Sequence, residues 1–213
     1  SSAMTAGGVG ANLSNNTLKA GFTFTGGAGN DVLTLRDNQF TSLTAGSQLD
    51  GGAGDDKVVI SDTALSATEY KAINALKNFE VLGVNNTVTV DASKLTSIKT
   101  FSIDGDNAQT INNMATGSKV WLTSAHASSA INLASATGVN DLALNLVNDR
   151  GDNLNQTIGG TLTIGQTAVA LNSSGSSNGK NIIATLANAD NSTYTITGAK
   201  DLTISNPLAG TAI

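Results

Sequence analysis

Two stretches of the chain repeat one nine-residue pattern, and this pattern constrains the backbone more than anything else in the sequence. The first is Gly26-Gly27-Ala28-Gly29-Asn30-Asp31-Val32-Leu33-Thr34, and the second is Gly51-Gly52-Ala53-Gly54-Asp55-Asp56-Lys57-Val58-Val59. Glycine stands at positions one, two and four, aspartate at six and a large apolar residue at eight. Glycine reaches φ values closed to other residues, so each stretch predicts a tight turn. The alternating residues that follow predict a strand, with Leu33 or Val58 pointing inward beneath the turn.

The chemistry such a turn offers is oxygen ligation. It aims several carbonyl oxygens at one region, and calcium takes roughly six to eight oxygen ligands in flexible geometry. Asp31 and Asp56 each add a full negative charge, and Asn30 and Asp55 a further side-chain oxygen. The candidate ligating residues are Gly26, Gly27, Ala28, Gly29, Asn30 and Asp31 in the first copy, and Gly51, Gly52, Ala53, Gly54, Asp55 and Asp56 in the second. One turn supplies about half a coordination shell, so ions are expected between stacked turns. Asp50, Asp55 and Asp56 crowd the second turn, where carboxylates repel and raise one another's pKa. A divalent cation removes that penalty. The pattern G-G-x-G-x-D-x-U-x is that of calcium-binding β-roll repeats, which place equivalent turns about 18 residues apart. Here the first copy starts at Gly26 and the second only at Gly51, a wider interval. The polar stretch 36–49, with Asp37-Asn38 and Gly46-Ser47, reads as a loop inserted in one coil, which argues against direct stacking of the two copies.

Around the motifs the chain reads as all-β. Phe22-Thr23-Phe24-Thr25 alternates apolar and polar residues into the first turn, and Leu33/Leu35 continue the alternation after it. From residue 80 onward short pairs recur: Leu82/Val84, Val88/Val90, Phe101/Ile103, Val120/Leu122, Ile131/Leu133, Leu142/Leu144/Leu146, Leu162/Ile164, Tyr194/Ile196 and Leu202/Ile204. Asn, Gly, Ser, Thr and Asp fill the gaps, which marks short strands joined by turns. With 23 glycines, one proline and only 4% aromatic residues, each layer of core is thin. That favours a right-handed parallel β-helix in which every coil buries two or three residues, with asparagine tolerating left-handed turns. A β-sandwich is the alternative architecture. One helix is predicted near 66–78, from a Ser66/Glu69 capping box and the stripe Tyr70, Ile73, Leu76 and Phe79. The expected division is a calcium-turn segment at 1–65, a short capping helix at 66–79 and a solenoid at 80–213, its softest boundary near 79–86.

Composition excludes several functions. A net charge of −5, a pI near 4.6 and a charged fraction of only 13% disfavour nucleic acid and suit cations. The absence of cysteine removes disulfides and thiolate metal sites; calcium is an alternative staple outside the cell. No run of 18 apolar residues spans a membrane. Ser1-Ser2-Ala3-Met4 does not read as a secretory leader, and Leu208 to Ile213 read as a cut through repetitive sequence, so the chain is expected to be a piece of a longer one.

The two motifs resemble the RTX (repeats-in-toxin) group of exported bacterial proteins. Their order, with a polar insert between them and Asn78-Phe79-Glu80-Val81-Leu82 after them, is similar to RTX-containing surface-layer proteins of the Caulobacter type. Those continue into Thr/Ser/Asn/Ala-rich stretches like Val88-Thr89-Val90-Asp91-Ala92-Ser93 and Tyr194-Thr195-Ile196-Thr197-Gly198. The resemblance implies type I secretion, calcium-dependent folding outside the cell, and assembly with copies of the chain into a cell-surface lattice, with cell-surface polysaccharide as a further partner. An RTX adhesin or biofilm-matrix module, and the calcium-binding C-terminal part of a secreted enzyme, are the alternatives. No H-E-x-x-H and no Ser-His-Asp arrangement stands in the sequence, so the chain itself is expected to be no enzyme.

Weaker signals have plainer readings. Gly175-Ser176-Ser177-Asn178-Gly179 matches the hydrolase elbow G-x-S-x-G, but the one histidine, His126, precedes the serine where that fold needs it after; the stretch reads as a loop. His126 reads as a surface or turn residue and Arg150-Gly151-Asp152 as a polar turn. The sequons at Asn12, Asn15, Asn85, Asn155, Asn172 and Asn191 follow from abundant Asn, Ser and Thr. Asp104-Gly105-Asp106-Asn107 is a candidate for another calcium turn. Trp121, out of phase with Val120 and Leu122, is expected to face outward.

Overall fold

Strands with only two or three inward side chains gain a core by stacking on equivalents above and below. The computed structural model describes residues 8–207 apart from 20, 38, 43–46 and 152. The chain is a right-handed parallel β-helix of about eight turns. Nine strands stack in the long sheet: Gly10–Asn12, Val32–Thr34, Lys57–Ile60, Val81–Val84, Thr100–Ile103, Lys119–Leu122, Asp141–Val147, Ala168–Ser174 and Thr193–Thr197. Six form a second sheet: Val88–Asp91, Gln109–Met114, Ile131–Ser135, Gln156–Ile164, Asn181–Asn188 and Leu202–Pro207. Thr23–Thr25 and Gln48–Asp50 pair beside the first coils. Among the described residues every strand pairing is parallel. That sets the β-sandwich aside, since its neighbouring strands run antiparallel.

The inward residues line up as ladders along the axis. Leu33, Val58, Leu82, Phe101, Val120, Leu144 and Leu171 sit one above another, each with no exposed surface. Ile60, Val84, Ile103, Leu122 and Leu146 form a second inward row. Burying each such side chain contributes about 1.5–3 kcal/mol. Coil length is not fixed: the coil from Val81 to its partner Thr100 is short, and the coil from Ala143 to its partner Ala170 is markedly longer. The corners take up the difference. The described non-glycine residues with positive φ are all asparagines, namely Asn78, Asn113, Asn153 and Asn191. Buried amides at strand starts tie the second sheet to the corner of the long one: Gln109 Nε2 donates to Asn86 O and Asn181 Nδ2 to Ser174 O.

The predicted helix runs over Ala67–Asn74, with the Ser66/Glu69 capping box formed in both directions. Tyr70 and Ile73 bury themselves beneath it, and the Tyr70 hydroxyl accepts the Asp91 N–H at 2.7 Å. Leu76 and Phe79 lie past the helix end, and Phe79 packs on Phe24 with ring centroids 6.2 Å apart.

Three expectations are corrected. The stretch 36–49 does not separate the glycine turns: of its described residues, Gln39–Ser42 form a short helix that buries Phe40, and Gln48 and Leu49 pair with Thr23 and Phe24. Val32 therefore pairs with Lys57, and the two turns stack directly despite the wide interval between them. His126 is not a surface residue; it is wholly buried beside the bridge to Ile158, because its backbone joins the second sheet at Thr157 and Gly159. Trp121 does stand in an outward, half-buried row with Asn145 and Asn172; Ser102, its partner on the other side, is wholly buried.

Candidate metal centre

The glycine turns occupy one corner of the first coils, and their stacking follows from their composition. Gly26 N–H donates to Asp50 O at 2.8 Å, and one coil further Gly51 N–H donates to Lys77 O at 2.9 Å. Ala53 N–H donates to Gly27 O at 2.9 Å. The turns approach so closely that a side chain at Gly26 would collide with Gly51 O and the Asp31 carboxylate, and one at Gly51 with Asn78 O. Gly52 adds φ near 104° to that requirement.

The sixth-position aspartates point inward, not to solvent, and neither has exposed surface. Each carboxylate accepts the backbone N–H of the coil before it. Val9 N–H donates to Asp31 Oδ1 at 2.5 Å, Asp31 N–H to Asp56 Oδ1 at 2.7 Å, and Asp56 N–H to Glu80 Oε2 at 2.9 Å. The corner is thus a carboxylate ladder with three steps. Its third step, Glu80 in the turn from Lys77, is absent from the nine-residue pattern. Only its spacing from Asp56, close to that between Asp31 and Asp56, could have marked it.

The two copies differ where it matters. Asp31 uses both oxygens, because Gly27 N–H donates to Oδ2 at 2.6 Å. In the second copy the equivalent N–H, that of Gly52, turns to Asp50 Oδ1 at 3.1 Å. Asp56 Oδ2 is left buried with no hydrogen-bond partner. Burial pushes the Asp56 carboxyl above the ordinary carboxylate range; the Asp31 N–H opposes this, and the charges of Asp31, Glu80 and Asp55 add to it. Among the described residues no ion pair relieves this charge. Lys57, next in sequence, sends its ammonium to Asp104 at 3.0 Å.

Alanine and polar positions of the turns stay outside: Ala28, Asn30, Ala53, Gly54 and Asp55 are exposed. Asn30 Oδ1 accepts the Asp55 N–H at 3.0 Å, which joins the two turns at their tips. Among the described residues no three Asp, Glu, His or Cys side chains converge on a point. A cation here would be held by carboxylate together with backbone carbonyl oxygen. That fits calcium, which accepts both, and does not fit metals that need His or Cys ligands.

The other singled-out residues serve the scaffold. Asp104 pairs with Lys57 and accepts the Thr123 hydroxyl at 2.6 Å, whereas Asp106 accepts the Ala127 N–H at 2.8 Å. Their carboxylates thus go to separate partners. Ser177 is buried, with its hydroxyl donating to Leu154 O at 2.9 Å. That is a turn fastening, as the loop reading of 175–179 expects. Arg150 and Gly151 are exposed, and Asp152 lies outside the described residues. Among the described residues no helix is long and apolar enough to cross a membrane. No protein family, curated protein or solved structure matches the chain.

Proposed function

We propose that this chain is a structural segment of a secreted bacterial surface-layer protein, a β-helix whose first coils need calcium and which assembles with copies of itself. The observation that carries the reading is the buried, unpartnered Asp56 Oδ2 inside two directly stacked glycine turns. A buried carboxylate with one oxygen unpartnered and no counter-charge is a cost the fold must offset. A bound calcium ion would supply the missing positive charge. Asp31 and Asp56 hold the coils in register through their backbone partners, and the glycines let carbonyl oxygens approach the corner. At the low calcium level of a cytoplasm the corner stays repulsive and the chain remains unfolded for type I export. Outside the cell it closes, and the regular solenoid offers flat outward faces to other copies.

A calcium titration of purified protein, followed by melting temperature and by particle size, tests this. The expected result is a rise in melting temperature together with growth into sheets visible by electron microscopy. Unchanged melting in excess chelator would remove the calcium reading, and a monodisperse solution at millimolar calcium would remove the lattice.

A further inference from the structure

Resting on the calcium reading above, we propose that the ion is held between the second glycine turn and the turn at Lys77–Glu80, with Glu80 as a ligand outside the nine-residue pattern. The pattern alone places an ion between its two copies. The hydrogen bonds point one coil further along.

The first turn has no oxygen to spare at its aspartate. Both Asp31 oxygens accept amide donors, Val9 N–H and Gly27 N–H. The second turn is changed by the coil beneath it. There Asn78 stands where the first two coils have glycine, at φ 52°. Its side-chain amide donates to Asp50 Oδ1 at 2.8 Å, and the same oxygen takes the Gly52 N–H. The donor that would satisfy Asp56 Oδ2 is thereby drawn away.

The orphaned oxygen faces a second acceptor. Asp56 Oδ2 lies 2.7 Å from the place a Gly51 Cβ would occupy, and the carbonyl oxygen of Asn78 lies within contact of the same place. A carboxylate oxygen and a carbonyl oxygen from adjacent coils thus both crowd Gly51, where glycine leaves no side chain to screen one from the other. Glu80 joins the group through its carboxylate, which accepts the Asp56 N–H at 2.9 Å and adds a second negative charge beside Asp56. Two carboxylates and a carbonyl form an all-oxygen donor set for a hard cation, and calcium completes its shell with water. Glu80 is exposed, so the site has a way in from solvent.

The test is calcium affinity by isothermal titration calorimetry on the full chain, with melting curves in chelator and in calcium, for Glu80→Gln, Asp56→Asn and Asp31→Asn. Glu80→Gln keeps an acceptor for the Asp56 N–H and removes only charge. It should melt like the unaltered protein in chelator yet bind calcium about tenfold more weakly, whereas Asp56→Asn, which loses the orphaned carboxylate itself, should melt higher in chelator and bind calcium about a hundredfold more weakly. Glu80→Asp should recover part of the loss. Asp31→Asn should lower melting in both conditions but keep the calcium increment, since Asp31 spends its oxygens on N–H groups. If Glu80→Gln binds calcium as tightly as the unaltered protein while Asp31→Asn does not, the ion lies between the two glycine turns and the proposal is wrong. If the unaltered protein itself neither binds calcium nor melts higher with it, the underlying calcium reading is what has failed.

Discussion

Replacing Asp56 by asparagine should reverse its effect on stability according to whether calcium is present. Without the ion the Asp56 carboxylate is wholly buried, and Oδ2 has no partner. Burial raises its pKa, with Asp31, Glu80 and Asp55 adding to the rise. For an acid whose folded pKa lies above its unfolded value, stability falls as pH rises between the two, and the full loss persists at neutral pH. The amide keeps an acceptor for the Asp31 N–H and carries no charge. A buried acceptor left unsatisfied costs about 1–3 kcal/mol. In chelator at pH 7 the variant should therefore gain about 1–2 kcal/mol, a rise of about 3–6 °C for a chain of this size. With a dissociation constant of about 0.1 mM, calcium at about 10 mM stabilises the unaltered protein by about 2.7 kcal/mol. The variant, lacking that carboxylate, should gain far less, so the order of melting temperatures inverts. Circular dichroism melts of both proteins in chelator and in calcium measure this. In chelator the difference should also close as pH drops below the raised Asp56 value. A variant that melts lower than the unaltered protein in chelator, or that gains as much from calcium, would refute the reasoning.

Leu82→Ala opens a hole between Val58 and Phe101 in the central ladder and should cost about 2–5 kcal/mol, equally with and without calcium, by chemical denaturation. Burial pushes the His126 imidazole below its ordinary pKa, against the pull of Asp106. The folded state therefore disfavours the protonated ring, and stability should fall as pH drops through the ordinary histidine range; His126→Leu should flatten that fall in melts from about pH 7 to 5. Ser66→Ala removes the helix cap and should cost about 1 kcal/mol. Burial raises the Glu69 pKa, but hydrogen bonds from Ser66 N–H and Oγ and from Asp62 outweigh it and hold the carboxyl below its ordinary value. That contribution is present above the unfolded pKa and lost as pH falls through the folded one. Losing the Ser66 hydroxyl should therefore raise the pH at which acid unfolding begins.

Much of this was legible in residue order because it depends on local rules. Period-two alternation marked the strand pieces, from Val88/Val90 to Leu202/Ile204. Ser66 and Glu69 marked the helix start, since a capping box needs only one turn of chain. The glycines of the two motifs marked tight turns, although only Gly52 and Gly54 among them use positive φ, and Gly26 and Gly51 answer to the close approach of the next coil. What stayed hidden depended on register between coils. The interval from Gly26 to Gly51 is too wide for stacked turns only in a coil of fixed length, such as the regular β-roll repeat. The long sheet keeps its register across coils as unequal as Val81 to Thr100 and Ala143 to Ala170, while the second sheet shifts register at Leu133/Ser135 and Ile158/Thr161. His126 stands among small residues, Ser124, Ala125 and Ala127, with no apolar alternation to mark a strand, yet backbone pairing at Thr157 carries it inside.

The candidate site divides along the same line. Sequence by itself determined the corner: two glycine turns, each with an aspartate at its sixth position and a strand after it. Tertiary structure decided that the aspartates become steps of one ladder, that Glu80 is its third step, and that Asp31 is satisfied while Asp56 is not. The reason is physical. Turn conformation is set by sterics between near neighbours, but which turn lies beneath another is set by the summed burial of strands a full coil apart in the chain. That burial brought Asn78 under Gly51, and Asn78, through Asp50, drew off the one N–H that would have left Asp56 complete.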